Sequence, residues 1–338
     1  MKKIDFEAHF YTREYLQTLS KNLGYPRFVY DDKNEKSGKL SFFADLVQPF
    51  SEALLGSLLN TGEERLKVMD SLGVDVQIVS LSAPGIEQLA SPVGTSLAKK
   101  TNNALSEVIH RYPDRFMGYA ALAPKDPEAA ADELERAVKD LKFVGWNTHS
   151  NYGDSYLDEK RYWPILERAE SLGVPIYIHP TVPAIPQART YGFALAGAPF
   201  GFGMETALCI MRLIFSGAFD RFPRLKVILG HLGEVLPFLM RRIDWAYLRP
   251  LPPAFRTLPK TPSEYLKNHV FVTTSGNYYK PAFMCTLEAL GIDKMLLGTD
   301  YPYDDPRECH EFAETLPLSE GDKERIFFQN AKQLGISV

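Results

Sequence analysis

Eight short segments rich in β-branched and aromatic residues recur along this 338-residue chain, near 4–8, 75–81, 116–122, 143–148, 175–179, 226–231, 270–275 and 294–299. Between most of them lie stretches with helical apolar spacing: Glu64–Leu72, Ser96–Arg111, Pro127–Leu141, Tyr162–Leu172, Glu205–Ala218, Val235–Tyr247 and Pro281–Leu290. A last helix is expected over about Glu320–Leu334. Strand and helix alternating eight times restrict the fold severely, because parallel neighbours in a sheet need a crossover helix between them. The expected fold is an α/β (β/α)8 TIM barrel, with residues 1–338 forming one domain.

Three stretches interrupt the alternation. Residues 10–62 separate the first strand from its helix and show little sustained periodicity, yet Phe42-Phe43, Leu46-Val47 and Leu54-Leu55 argue for packing. An insertion of that length is expected to fold as a lid over a site. Residues 180–203, rich in Pro, Ala, Gly and Phe, form a second long loop on the same face. A third stretch, 248–262, carries Pro250, Pro252, Pro253, Pro259 and Pro262 and is expected to be extended and stiff.

Four of the eight strand-like segments end on metal-ligand side chains. Glu7 and His9 close the first, His179 the fifth, His231 the sixth and Asp300 the eighth. Barrels of this kind carry their chemistry at the C-terminal ends of the strands. Glu7 and His9 are two apart, so in a strand both point to one side. Each feature alone is weak: a histidine after an apolar strand is more often structural, and an aspartate there is commonly a helix cap. Their coincidence on one barrel face points to a single divalent metal, Zn2+ or Mn2+, held by mixed nitrogen and oxygen ligands. His231 could bind metal or stand beside it as an acid, base or hydrogen-bond donor. His149 and Asn147, near the end of the fourth strand, are candidates for substrate contact, whereas His110, His269 and His310 read as helix or surface positions.

Bulk properties narrow the partners. The net charge of −4 gives no electrostatic case for nucleic acid or an anionic membrane. No run approaches the roughly 18 apolar residues of a membrane span. Acidic residues stand where a signal peptide would need an apolar core. Cys209, Cys285 and Cys309 are scattered without CxxC spacing, so neither a disulfide framework nor a thiolate zinc site is expected, and the cytoplasm is the simplest home.

The chain resembles the amidohydrolase superfamily, in the branch of the aminocarboxymuconate semialdehyde and hydroxybenzoate decarboxylases. The likeness is densest from Gly203-Met204-Glu205-Thr206-Ala207 through Ser216–Lys226 and Val227-Ile228-Leu229-Gly230-His231-Leu232-Gly233-Glu234 to Arg242-Ile243-Asp244. Ser82-Ala83-Pro84-Gly85-Ile86, the segment around His179-Pro180, and Gly298-Thr299-Asp300-Tyr301-Pro302 also match. Many relatives begin with H-x-H; Glu7-Ala8-His9 is similar to the hydroxybenzoate decarboxylases.

The resemblance implies Glu7, His9, His179 and Asp300 as ligands and His231 as the imidazole that orients substrate. The fourth strand ends without a lysine for a bridge between two metals, so a mononuclear site is expected. The implied activity is nonoxidative decarboxylation of a small hydroxylated aromatic acid of the γ-resorcylate or dihydroxybenzoate kind. An ortho-hydroxybenzoate chelates a divalent cation through carboxylate and phenolate oxygens, and protonation of the ring carbon by Asp300, with His231 as its partner, avoids an aryl carbanion. A metal-adjacent aspartate has a lowered pKa and must first acquire that proton.

The alternative on the same ligands is hydrolysis of a lactone or ring ester by metal-bound water; a hydratase or a barrel that only binds ligand are further readings. Arg242 lies 11 residues beyond His231, roughly 16 Å along a helix, and is expected to cross a homodimer (or homotetramer) interface toward the partner's substrate carboxylate, or else to form an ordinary surface ion pair. Phe10, Phe200 and Phe202 are candidates to pack against a flat ring.

Overall fold

The structure, a computed structural model, describes residues 1–32 and 34–337; Lys33, within the 10–62 insertion, and Val338, at the end of the expected domain, lie outside the described residues. In chain order the elements are β1 (Ile4–Phe10), α1 (Arg13–Lys21), β2 (Arg27–Asp31), β3 (Asn34–Phe43), β4 (Leu46–Phe50), α2 (Glu52–Leu59), α3 (Glu63–Leu72), β5 (Val76–Leu81), α4 (Val93–Arg111), β6 (Phe116–Ala121), α5 (Pro127–Lys139) and β7 (Gly145–His149). There follow α6 (Trp163–Leu172), β8 (Ile176–His179), α7 (Phe193–Ala196), α8 (Gly201–Phe215), α9 (Ala218–Arg221), β9 (Val227–Leu229), α10 (Leu236–Leu248), α11 (Pro262–His269), β10 (Val270–Thr273), α12 (Lys280–Leu290), β11 (Met295–Leu296), α13 (Pro306–Thr315) and α14 (Glu320–Phe327).

Eight strands pair in the order β1-β5-β6-β7-β8-β9-β10-β11, every ladder parallel. The ends of this sheet meet: Phe6 N–H donates to the Leu297 carbonyl at 2.9 Å, His9 N–H donates to Tyr301 at 2.7 Å, and Ala8 bridges Tyr301 in parallel. The sheet is therefore a barrel, as the eightfold alternation requires. All seven residues of β1 and all six of β5 are buried, the continuous burial expected of strands covered on both faces. Seven of the eight strands contribute to one apolar cluster, including Phe6, Ile78, Tyr119, Tyr177, Ile228 and Phe271, which Leu334 and Ile336 of the chain end join. The larger cluster packs strands against helices.

The insertion is folded. After α1, strands β2, β3 and β4 form an antiparallel sheet, followed by α2. Phe28, Leu40, Phe42, Leu46 and Phe50 are its buried side chains, while Lys36 and Lys39 face solvent. Charge and glycine break the alternation inside β3, which is why the sequence shows no clear strand there. Further helices also lie outside the sequence expectation, among them α11 and α13. Pro262, read as part of an extended stretch, is instead the first residue of α11, with Thr261 and Glu264 forming a capping box. α13 starts at Pro306 after the cap Asp305. Among the described residues no helix is long and apolar enough to cross a membrane, and the three cysteines are unpaired.

Candidate metal centre and active site

The C-terminal ends of β1 and β8 and the loop after β11 bring Glu7, His9, His179 and Asp300 together, with one potential ligand atom from each lying within 4.8 Å of the others. His9 Nε2 is 2.9 Å from Asp300 Oδ1, and His179 Nε2 is 3.7 Å from Glu7 Oε1 and 3.9 Å from Asp300 Oδ1. Glu7 Oε1, His9 Nε2, His179 Nε2 and Asp300 Oδ1 are all buried without an aligned hydrogen-bond partner. Leaving a buried polar atom unpaired costs about 1–3 kcal/mol, so four converging on one point form a cradle for a cation. Two carboxylates and two imidazoles fit one divalent first-row ion.

The surrounding contacts aim these atoms. His179 Nδ1 donates to the Pro180 carbonyl at 2.8 Å, which leaves Nε2 with its lone pair toward the centre. His9 Nδ1 is 3.0 Å from Ser80 Oγ. Glu7 Oε2 accepts from Thr273 Oγ1 at 2.7 Å and from Ser275 Oγ, which keeps Oε1 for the centre. β1 advances three residues from Asp5 to Ala8 while β5 advances two, a bulge at Phe6-Glu7 of the kind that re-aims a side chain. Asp5 ties the bulge to the eighth strand: it accepts from Glu7 N, Thr299 N, Thr299 Oγ1 and Gln77 Nε2 at 2.6–3.1 Å. Burial raises its carboxyl to about 6 against those hydrogen bonds. The buried Arg65 donates to the His9 carbonyl and stacks 4.9 Å over Tyr301, beside Asp300.

His231 follows β9 and is not one of the four converging residues; its Nε2 stands 3.8 Å from both Glu7 Oε1 and Asp300 Oδ2. Its Nδ1 meets Glu234 Oε1 at 2.8 Å. Burial would lower the imidazole, but Glu234, Glu7 and Asp300 hold it well above its ordinary value. Burial likewise opposes the charged Asp300, yet the imidazoles of His179, His231 and His9 hold its carboxyl well below the usual range. His9, fully buried and beside His179, is held below its ordinary value. His231 and Asp300 have φ of 54° and 53°, left-handed backbone that costs a side chain of order 1–3 kcal/mol and clusters at functional sites. Two glycines make room: a Cβ on Gly230 would lie 2.9 Å from Glu7 Oε1, and one on Gly276 (φ 63°) would run into the His231 ring.

A cavity of about 300 Å³ opens onto His179, His231 and Asp300. Phe42 and Gln48 of the insertion, and Phe193, Pro199 and Phe202 after β8, wall it, with Ser82, Tyr303 and Asp304. The two covering segments are fastened together. Phe42 and Phe193 pack edge to face at 5.6 Å, and Arg189 lies 4.0 Å over the Phe43 ring, 3.2 Å from Asp45 Oδ1 and 2.6 Å from the Ala184 carbonyl.

Several expected contacts are placed elsewhere. Phe202 lines the cavity, but Phe10 does not; it ends β1 inside the strand–helix core, 3% exposed. Phe200 is largely exposed. Asn147 is also off the cavity wall, because its amide donates across the barrel wall to the Leu81 carbonyl at 3.1 Å. His149 is buried behind His179, with Nδ1 2.9 Å from Glu87 Oε1. Arg242 is exposed on α10 with its guanidinium 5.0 Å over Trp245, outside this cavity. Phe42 stands out in the sequence only as a packing residue of the insertion, and not singled out as site residues were Asp5, Ser80, Thr273, Ser275, Glu234 and Asp304. Glu234 had a signal, three residues after His231; the others had none without knowledge of which strands pair.

Residues 4–334 match the Amidohydrolase family, and the chain belongs to it. A γ-resorcylate decarboxylase of Polaromonas sp. is 38% identical over 294 residues, covering 83% of this chain and 89% of that protein. Among solved structures, 5-carboxyvanillate decarboxylase from Sphingomonas paucimobilis superposes with a TM-score of 0.87 at 32% identity, over 99% of both chains. A dihydroxybenzoic acid decarboxylase from Polaromonas sp., with bound manganese and the inhibitor 2-nitroresorcinol, superposes with a TM-score of 0.82 at 34% identity, covering 98% of this chain and 96% of that one. These three relatives are decarboxylases, and the two solved structures share the barrel described above.

Proposed function

We propose that this protein is a metal-dependent nonoxidative decarboxylase of a small hydroxylated aromatic acid, with γ-resorcylate (2,6-dihydroxybenzoate) as the leading substrate. The observation that carries this reading is the set of four unpartnered ligand atoms on Glu7, His9, His179 and Asp300, at the edge of a cavity walled by aromatic rings. Its support from relatives is the decarboxylases of 38% and 34% identity, one of them with manganese. Zinc and manganese both suit the ligands. Glu7, His9, His179 and Asp300 would hold the divalent cation, which would supply a positive centre able to fix an ortho-hydroxybenzoate through its oxygens.

The chain's own residues then do the proton work. Asp300, held ionised by three imidazoles, takes the proton given up as the ortho-hydroxyl ionises. It delivers that proton to the ring carbon bearing the carboxylate. The C–C bond breaks, its electron pair returns to the ring and CO2 leaves. His231, kept protonated by Glu234, holds positive charge 3.8 Å from Asp300 Oδ2 and offers Nε2–H to the substrate's oxygens. The insertion acts as a lid, since Phe42 and Gln48 close one side of the cavity and exclude water.

Arg242 is assigned to a homodimer interface, where it reaches the partner's substrate; its exposure, beside the 81% exposed Phe238, supports that place. Arg242→Ala should weaken substrate affinity or assembly, and no change in either would remove the assignment. The unpaired cysteines support a reducing cytoplasm.

The test is CO2 release from 2,6-dihydroxybenzoate by protein loaded separately with zinc and manganese. Release matched by loss of the acid, and abolished by Asp300→Asn, is expected. Stoichiometric metal without any CO2 would overturn the reading in favour of lactone hydrolysis.

A further inference from the structure

Asp304 sits on the wall of the substrate cavity and has no role in the metal cluster. It lies one turn beyond Asp300, with the Tyr303 N–H donating to the Asp300 carbonyl at 2.8 Å and the Asp304 N–H approaching the same carbonyl at 3.4 Å. Its carboxylate is close to His231: a Cβ placed on Gly276 would contact both the His231 ring and Asp304 Oδ2, the latter at 3.4 Å. A carboxylate offers about four acceptor sites. Among the described residues Asp304 fills one of them, through a long bond of 3.3 Å from Tyr278 Oη to Oδ2, and Oδ1 receives none.

The rest of the wall does little to satisfy it. The Ser82 hydroxyl is engaged with Tyr303 Oη at 2.7 Å. Phe42, Phe193, Pro199 and Phe202 are apolar; Gln48 and His231 also line the cavity but neither is hydrogen-bonded to Asp304, and among the described residues no lysine or arginine lines it. Such a wall presents an acceptor-only, negatively charged group to whatever ring is held at the metal cluster. A ring hydroxyl can donate to it. A methoxy oxygen cannot, and a second carboxylate meets the like charge of Asp304, while the nearby His231 imidazole is already set between Glu234, Glu7 and Asp300.

We propose that Asp304 is a specificity-determining residue: it accepts a hydrogen bond from a second ring hydroxyl of the substrate and rejects rings that carry a second carboxylate. The substrate class is thus a monocarboxylate with a free hydroxyl besides the chelating one. This rests on the hydroxybenzoate decarboxylase reading, and it separates this chain from the dicarboxylate 5-carboxyvanillate, on which a similar fold acts.

Binding of unreactive rings to the manganese-loaded protein tests Asp304 apart from turnover. Wild type should bind 2-nitroresorcinol at least about 10-fold more tightly than 2-nitrophenol, beyond the factor of two given by symmetry. Asp304→Leu should bring the two within about twofold by weakening 2-nitroresorcinol alone. Should that variant fail to fold, Asp304→Asn keeps the shape and removes the charge, and its affinity for 5-carboxyvanillate should rise about 10-fold or more. An undiminished preference in Asp304→Leu, equal weakening of both nitro compounds, binding of neither by wild type, or no gain of dicarboxylate affinity in Asp304→Asn would each overturn the assignment. Absence of CO2 release with the binding preference intact would instead remove the decarboxylase reading and leave Asp304 as a selector of hydroxylated rings.

Discussion

The strand ends and the insertion face the same cavity but are built on different physics. Glu7, His9 and His179 stand on strands paired on both sides, and their potential ligand atoms are positioned by the barrel's register together with hydrogen bonds to the Thr273, Ser275 and Ser80 hydroxyls and the Pro180 carbonyl. Phe42 and Gln48 come from a three-stranded sheet that is no part of the barrel and is fastened over the site by Arg189 and a Phe42–Phe193 contact. The first region brings the potential ligand atoms together; the second walls the cavity beside them. Side chains that tolerate little displacement stand on the stiffest elements, and the cover over them is built separately.

Substitutions in the two regions should therefore fail in different ways. The largest effect is expected at the ligands: Glu7→Gln or His179→Ala should abolish stoichiometric metal and cut turnover by at least about 1,000-fold with the far-ultraviolet spectrum unchanged. Retention of one tightly bound metal by either variant would show that the cluster has been misassigned. A step smaller, Ser275→Ala removes one of two hydroxyls that hold Glu7 Oε2 and should weaken metal binding about 10- to 100-fold, read by competition with a chelator.

In the cover, Arg189→Ala should raise KM several-fold and leave metal affinity as it was, because Arg189 touches Asp45, Phe43 and Ala184 but no ligand. Loss of metal in that variant would erase the distinction between the regions. The smallest effect belongs to the opposite end of the barrel, where burial and the neighbouring Lys226 lower Lys294 to about 8. Its folded pKa lies below the unfolded one, so its charge opposes folding below about pH 8 and the penalty fades as pH rises toward 10.5. Lys294→Met should raise Tm by about a degree or two at pH 7, with the gain disappearing near pH 10.5; solvent screening keeps it small.

The same division governs what could be read from the residues. All eight barrel strands were legible, since parallel strands buried on both faces leave continuous apolar runs such as Val227-Ile228-Leu229. The ligand types at their ends were legible because those runs stop at Glu7-Ala8-His9, His179 and Asp300. The insertion sheet was not, because Lys36-Ser37-Gly38-Lys39 interrupts the alternation of β3 and its pairing is with strands that are equally faint. Asn147 and Phe10 were read as facing the substrate from position alone. Position along a strand does not say that an amide is engaged by Leu81 or that a ring closes the core.

Taken alone, the sequence determined the eightfold strand–helix alternation, the barrel it implies, and the four polar strand ends on one face. These follow from local patterning and from the crossover that parallel pairing imposes. Tertiary structure alone decided that Asp5 joins the first strand to the eighth and that Asp304 lines the cavity with a single long hydrogen bond from Tyr278. Those facts depend on distances between residues up to 294 positions apart, and no local pattern encodes a distance across a closed barrel.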